Sequence, residues 1–212
     1  MGKSVDIETS CVRAESLPVV ESFYTLQGEG LHSGMPTFFV RLAGCNVGCE
    51  WCDSKNSWNK ADFPLVPIEQ IVGEAVRSGT RAVVITGGEP LLHNLDALCD
   101  SLKGAGLEIF LETSGSAMPS GRFDWVCVSP KKKKHPLDEV LKMADELKVV
   151  ISCEEDFKWA EENATKTKKG CALLLQPEWN RMQEIMPQIV NYVKAHPEWR
   201  VSLQTHKFMN IP

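Results

Sequence analysis

No apolar run in this 212-residue chain approaches the roughly 20 residues that cross a bilayer. The opening segment, MGKSVDIETSCVRAESLP, lacks the apolar stretch of a secretory signal. Positive charge is not in excess either: 23 Lys and Arg against 28 Asp and Glu leave a formal net charge of −5. Together these absences argue against a membrane partner and against whole-protein attraction to nucleic acid. No repeat, low-complexity tract or linker divides the chain. One domain is therefore expected over 19–212, behind a loose, polar, aperiodic extension at 1–18. An apolar fraction of 43% is enough to give that domain a full core.

The chain does hold cysteine, eight in all, and without a secretory signal these are expected as reduced thiols in the cytoplasm. Cys11, Cys99, Cys127, Cys153 and Cys171 are scattered, and most are expected to be buried and inert. Cys45, Cys49 and Cys52 instead fall within eight residues of LAGCNVGCEWCDSK, spaced C-x3-C-x2-C. A structural zinc site or an ordinary ferredoxin-type cluster takes four protein ligands. Zinc completed by His32 or His93 is one reading, although a second C-x2-C knuckle is missing. A [4Fe–4S] cluster with one iron left open to a small molecule is the other.

Beyond Pro36, β-branched or apolar runs alternate with helical patterns, the signature of a parallel α/β sheet. Strands are expected at TFFVRLAG, RAVVITG, LEIFLETSG, WVCVSPK, LKVVIS, CALLLQP and WRVSLQTH. Helices are expected at 68–78, 94–103, 137–144, 156–164 and about 181–195, with Pro187 starting a new turn or kinking the last. Polar, glycine-rich or ligand-type residues follow strand after strand, as in CNVGCEWC, GGEP, ETSG, SPK and QTHK. In a parallel β/α barrel those positions form one rim, where sites are built. Six to seven strands are too few for the usual eight-fold barrel of about 250 residues. The expected fold is therefore an incomplete, open β/α barrel.

GGEP, Gly87 to Pro90, reads either as a plain turn or as a ligand cradle. In the cradle, glycine carbonyls accept from an ammonium group and Glu89 adds negative charge. Arg41, at the end of its strand, suits either a ligand carboxylate or a surface salt bridge. KKKKH, from Lys131, reads as a solvated loop whose first lysine reaches the rim. Val201 and Leu203 alternate with Ser202 and Gln204, suggesting a half-buried strand in the tail.

C-x3-C-x2-C with Trp51 before its last cysteine, together with GGEP after a strand, resembles the radical S-adenosylmethionine enzymes. FYTLQGEG (23–30), CDSK, ETSG (112–115), VSPK and the terminal QTHKFMNIP narrow the resemblance to the 7-carboxy-7-deazaguanine synthase family, over nearly all of 21–212. That resemblance implies a [4Fe–4S] cluster on Cys45, Cys49 and Cys52, with S-adenosylmethionine bound at the open iron and cleaved to a 5′-deoxyadenosyl radical. It implies ring contraction of 6-carboxy-5,6,7,8-tetrahydropterin to 7-carboxy-7-deazaguanine and ammonia, in 7-deazapurine and queuosine biosynthesis.

Carried over position by position, the resemblance assigns the cofactor to Trp51, Asp53, Gly88, Glu89, Ser129, Pro130 and Lys131, with Gln176, Pro177 and Glu178. It assigns the pterin to Leu26, Gln27, Gly28, Glu29, Arg41, Thr86, His206 and Pro212, the tail folding over the mouth. Ser54 would hold Mg²⁺ through its hydroxyl, where threonine is common in the family. An electron donor such as flavodoxin or ferredoxin and a homodimer are further implications. The rivals are an activase that places a glycyl radical on a partner protein, and a non-catalytic iron–sulfur carrier.

Overall fold

The computed structural model describes residues 15–212. Nine strands form one open sheet in the order β3-β1-β2-β4-β5-β6-β7-β8-β9. They are β1 Ser16–Leu26, β2 Pro36–Leu42, β3 Leu65–Pro67, β4 Ala82–Gly87, β5 Glu108–Thr113, β6 Trp125–Val128, β7 Glu146–Ile151, β8 Ala172–Pro177 and β9 Trp199–Val201. From β2 through β9 the pairing is parallel, giving the seven strands expected for the barrel. Two antiparallel strands, β1 on β2 and β3 on β1, extend the sheet at one edge.

Alternation along the strands sorts side chains to two sides. On the outer side Phe38, Val40 and Leu42 of β2, Val83 and Ile85 of β4, Ile109 and Leu111 of β5 and Leu147, Val149 and Ile151 of β7 are buried. The same core takes in the inner faces of helices α1 Ile68–Arg77, α2 Asp96–Gly104, α3 Asp138–Leu141, α4 Glu155–Ala164 and α5 Met182–Ala195. Ile71 and Ala75, Leu98 and Leu102, and Ile185 and Ile189 recur at helical spacing, which fixes which face each helix turns inward. On the inner side, Ala82, Val84 and Phe110 pack with Met35, Phe39 and Trp125 as an apolar plug. Further along the same strands the inner side turns polar, and the site begins there.

Four expectations are corrected. The loose extension does not reach residue 18, because Ser16, Leu17 and Pro18 pair with Pro67, Val66 and Leu65, and Leu17 and Val19 are buried. Residues 1–14, with Cys11, lie outside those described. The tail strand stops at Val201, and helix α6, Thr205–Met209, follows. Its burial is also inverted: Val201 is exposed, whereas Ser202 and Gln204 are buried by polar partners inside the sheet. Helix α5 runs from Met182 to Ala195 with Pro187 inside it, so the proline does not start the helix. Finally, not all of KKKKH belongs to solvent, since Lys132 pairs with Asp156 at 2.5 Å and Lys133 donates to the Gly48 carbonyl at 2.8 Å.

β9 closes the sheet with few residues, and Trp199, 1% exposed, supplies most of its burial. Its indole donates to Glu161 at 2.8 Å, which also accepts from the Tyr192 hydroxyl at 2.5 Å. Trp199→Ala should therefore destabilise the fold by roughly 3–5 kcal/mol, measured by urea unfolding.

Candidate active site

Every parallel strand ends at the same rim, and a cavity of about 260 Å³ opens there. Its wall gathers Leu26, Gln27, Gly28, Glu29, Arg41, Thr86, His206 and Pro212 from the expected substrate set. From the expected cofactor set it gathers Trp51, Asp53, Gly88, Ser129, Lys131 and Gln176, beside Ser54 and the three cysteines. Pro177 and Glu178 line an adjoining cavity of about 290 Å³ that shares Trp51, Cys52, Asp53, Gln176 and Gln204 with the first. Pro130 is buried and lines neither of these two cavities.

Glu89 does not meet its expectation. It is fully buried, and its carboxylate accepts from Thr113 Oγ1 at 2.5 Å, Leu91 N at 3.1 Å and Ser114 N at 2.9 Å, as well as from Ser114 Oγ. With both oxygens engaged away from the cavity, it ties the end of β4 to the end of β5. Thr113 and Ser114 face the cavity in its place.

The cysteine loop hangs from β2. Gly44 N donates to Ser57 O at 2.6 Å and Cys45 N to Trp58 O at 3.1 Å. Glu89 N and Gly88 N reach back to Gly44 O at 2.8 Å and Leu42 O at 3.0 Å. A Cβ on Gly88 would stand 2.4 Å from Gly44 O and 2.8 Å from the Cys45 Cβ, so glycine alone allows this approach. Two amides already serve the thiols: Val47 N faces Cys45 Sγ and Ser54 N faces Cys52 Sγ, each at 3.4 Å. Burial pushes the Cys49 thiol up, while Lys131 opposes that shift. Burial in turn lowers the Lys131 ammonium, which lies 5.3 Å from the Trp51 ring centroid and donates to Ser129 O at 2.8 Å.

The donor set fits a three-thiolate cluster rather than zinc. Among the described residues no three His, Cys, Asp or Glu side chains are placed to grip a single ion. His93 Nε2 is engaged with the Ala43 carbonyl at 2.7 Å, and His32 packs against Phe110 and Trp125. All three thiols line the cavity, so an iron left without a protein ligand would face it.

Across the cavity the wall is ionic. Lys148, on the inner side of β7 and 4% exposed, places Nζ 2.5 Å from Glu29 Oε2 and 3.7 Å from Glu112 Oε2. Gln204 Nε2 donates to Glu29 Oε1 at 2.7 Å, and Gln27 Nε2 donates to Glu112 Oε1 at 2.8 Å. Burial alone would raise the Glu29 carboxyl, but the Lys148 charge and hydrogen bond overcome it and hold the pKa at about 2. Carboxylates around Lys148 likewise override burial and raise its ammonium well above the usual range.

Arg41 pairs with Thr86 in the β2–β4 register, so the two share this side of the sheet. Its Nε meets Glu21 at 2.7 Å and its Nη1 reaches Ser54 Oγ at 3.3 Å, so the salt bridge and the cavity position coexist. The tail is clasped rather than frayed. Thr205 N and Oγ1 donate to Gly28 O at 2.8 and 2.9 Å, and Thr25 Oγ1 donates to Pro212 O at 3.3 Å.

Sequence reasoning leaves out Lys148, Glu112 and Gln204. The available signal is a lysine between Leu147 and Val149 in an apolar run, since a buried lysine requires an ionic partner. Because Gly88 packs on the cysteine loop, Gly88→Ala should lower iron bound after anaerobic reconstitution well below wild type while far-UV circular dichroism persists.

Residues 39–126 match the Radical SAM superfamily. The chain is 47% identical over 207 residues to 7-carboxy-7-deazaguanine synthase of Flavobacterium psychrophilum, covering 98% of each chain. It is 46% identical to the synthase of the same name from Synechocystis, covering 92% of this chain and 94% of the relative. The crystal structure of QueE from Escherichia coli superposes with a TM-score of 0.80 at 32% identity, covering 90% of this chain and 95% of that one. With a thiol loop and an ionic wall facing one cavity in this fold, the chain belongs to the 7-carboxy-7-deazaguanine synthase family of radical SAM enzymes.

Proposed function

We propose that the chain contracts 6-carboxy-5,6,7,8-tetrahydropterin to 7-carboxy-7-deazaguanine with loss of ammonia, a step of 7-deazapurine and queuosine biosynthesis. The observation that carries this reading is one small cavity lined by three thiols, a carboxylate–amide array and Arg41. When bound, the [4Fe–4S] cluster and S-adenosylmethionine supply a carbon radical able to remove hydrogen from an unactivated C–H bond.

The remaining chemistry is positioning by this chain's own residues. Cys45, Cys49 and Cys52 hold the cluster. Trp51, Asp53, Gly88, Ser129, Lys131 and Gln176 shape the cofactor side, with Pro177 and Glu178 behind them in the adjoining cavity. Glu89 acts through Thr113 and Ser114. Leu26, Gln27, Gly28 and Glu29 bind the pterin, with Thr86, His206 and Pro212. Arg41 receives its carboxylate, a role suited to a planar guanidinium. Ser54 lies within reach of Arg41 and donates to Asp53 Oδ1 at 3.1 Å, an oxygen-rich position that supports Mg²⁺ beside the substrate carboxylate.

No helix of the described residues is long and apolar enough to cross a membrane. A cytoplasmic homodimer that folds as one domain and draws electrons from flavodoxin or ferredoxin completes the proposal. A cavity of this volume beside a clasped tail favours a small molecule over the polypeptide substrate of an activase.

The protein reconstituted without oxygen, reduced and given S-adenosylmethionine and the carboxytetrahydropterin should yield the deazaguanine chromophore. No conversion under those conditions would overturn the assignment. Removing residues 209–212 should cut turnover more deeply than iron content. Wild-type turnover in that truncated protein would count against a substrate role for the tail.

A further inference from the structure

Among the described residues, Lys148 is the one buried ammonium on the substrate side of the cavity that the reading above leaves without a role. Its strand neighbours Leu147 and Val149 point into the outer core, so alternation alone turns Lys148 inward. There it meets carboxylates from two other elements, Glu29 after β1 and Glu112 on β5. The free oxygen of each carboxylate is held by an amide, from Gln204 and Gln27. All five side chains line the cavity.

We propose that Lys148 is the positioning and specificity-determining residue of the substrate side, fixing Glu29 and Glu112 as a pair of acceptors for the N–H edge of a 2-amino-4-oxopyrimidine ring. This rests on the pterin reading above and deepens it. Such a ring presents two N–H donors side by side in one plane. An ionised carboxylate only accepts, so it matches that edge, whereas a protonated carboxyl would present a donor against a donor. Two carboxylates sharing one ammonium leave one negative charge, which suits a neutral, donor-rich edge better than a phosphate or a second carboxylate.

The charged and titratable groups facing Lys148 are Glu29, Glu112, Cys127, Glu146 and Lys131, and His206 faces Glu29 from the tail. Cys127 is held neutral by burial. Glu146 is occupied by Leu31 N at 3.2 Å and the Trp125 indole at 3.3 Å. Lys131 sits on the cofactor side over Trp51. Lys148 is therefore the main group that opposes the burial of Glu29, ahead of Gln204 and His206. With Glu29 near 2 in the wild type, its charge persists through neutral and mildly acid pH. Without the ammonium, only the Gln204 hydrogen bond and His206 oppose burial, and the carboxyl rises from its wild-type value.

Binding of the carboxytetrahydropterin to the anaerobically reconstituted holoprotein, without reductant so that nothing turns over, tests this by calorimetry. Lys148→Met should retain iron and weaken binding at least about tenfold, the size of one hydrogen bond to a charged group. Its affinity should worsen further as pH falls from 8 to 6, over which wild type stays flat, and Lys148→Arg should restore most of both. Wild-type affinity with a flat pH response in Lys148→Met would overturn the proposal. So would a loss equal at every pH that arginine does not rescue, the result of a merely structural role. Should Lys148→Met fail to fold, Lys148→Gln, which keeps a hydrogen-bond donor without the charge, takes its place with the same readouts. Wild type that fails to bind the pterin at all sinks the functional reading itself, before any variant is compared.

Discussion

One ammonium group inside the half-barrel organises the ionic wall of the cavity. Lys148 reaches it from β7, Glu112 from β5 and Glu29 from the loop that leaves β1. Three elements distant in sequence are thus tied at one point, and the tail joins through Gln204. Burying these charges is costly, and their attraction offsets that cost only as a complete set. Removing one partner from such a set costs roughly 3–5 kcal/mol. The same completeness leaves a rigid array of acceptors facing a cavity that a ligand can enter.

A second constraint operates across the cavity and is steric. The end of β4 presses against Leu42 of β2 and the start of the cysteine loop so closely that Gly87 and Gly88 have no room for a Cβ. At Gly87 a Cβ would lie 2.2 Å from the Leu42 carbonyl, and the backbone there has a φ of +151°. Buried Glu89 locks this approach from behind by gripping Thr113 and Ser114. The GGEP motif is therefore a packing joint between two strand ends, with Gly87 and Gly88 on the cavity wall. Its glycines set how far the thiols stand from the rim, and its glutamate sets where the next strand's hydroxyls point.

Much of the architecture was legible because parallel strands buried on both faces read as apolar runs. RAVVITG, LEIFLETSG and CALLLQP became β4, β5 and β8 within a residue or two. β1 escaped notice because Glu21, Ser22 and Thr25 interrupt its apolar residues and a bulge breaks its register. The tail misled for a related reason. Its alternation was real, but the buried side carries Ser202 and Gln204, whose polar groups are satisfied by Gln176 and Glu29. Apolar periodicity cannot announce a face that is buried by hydrogen bonds. Lys148 was hidden the same way, as one charge in a run otherwise typical of a core strand.

Sequence by itself determined the identity of the thiol motif, the strand-and-helix alternation, and the placement of ligand-type residues after successive strands. These are local facts, written in spacing and in the two periods of secondary structure. Only the tertiary structure decided which carboxylates face the cavity, which one is spent inside the wall, and which lysine holds Glu29 in its charged form. Those outcomes depend on distances between residues as far apart as Glu29 and Lys148, and on burial that strengthens every charge left inside.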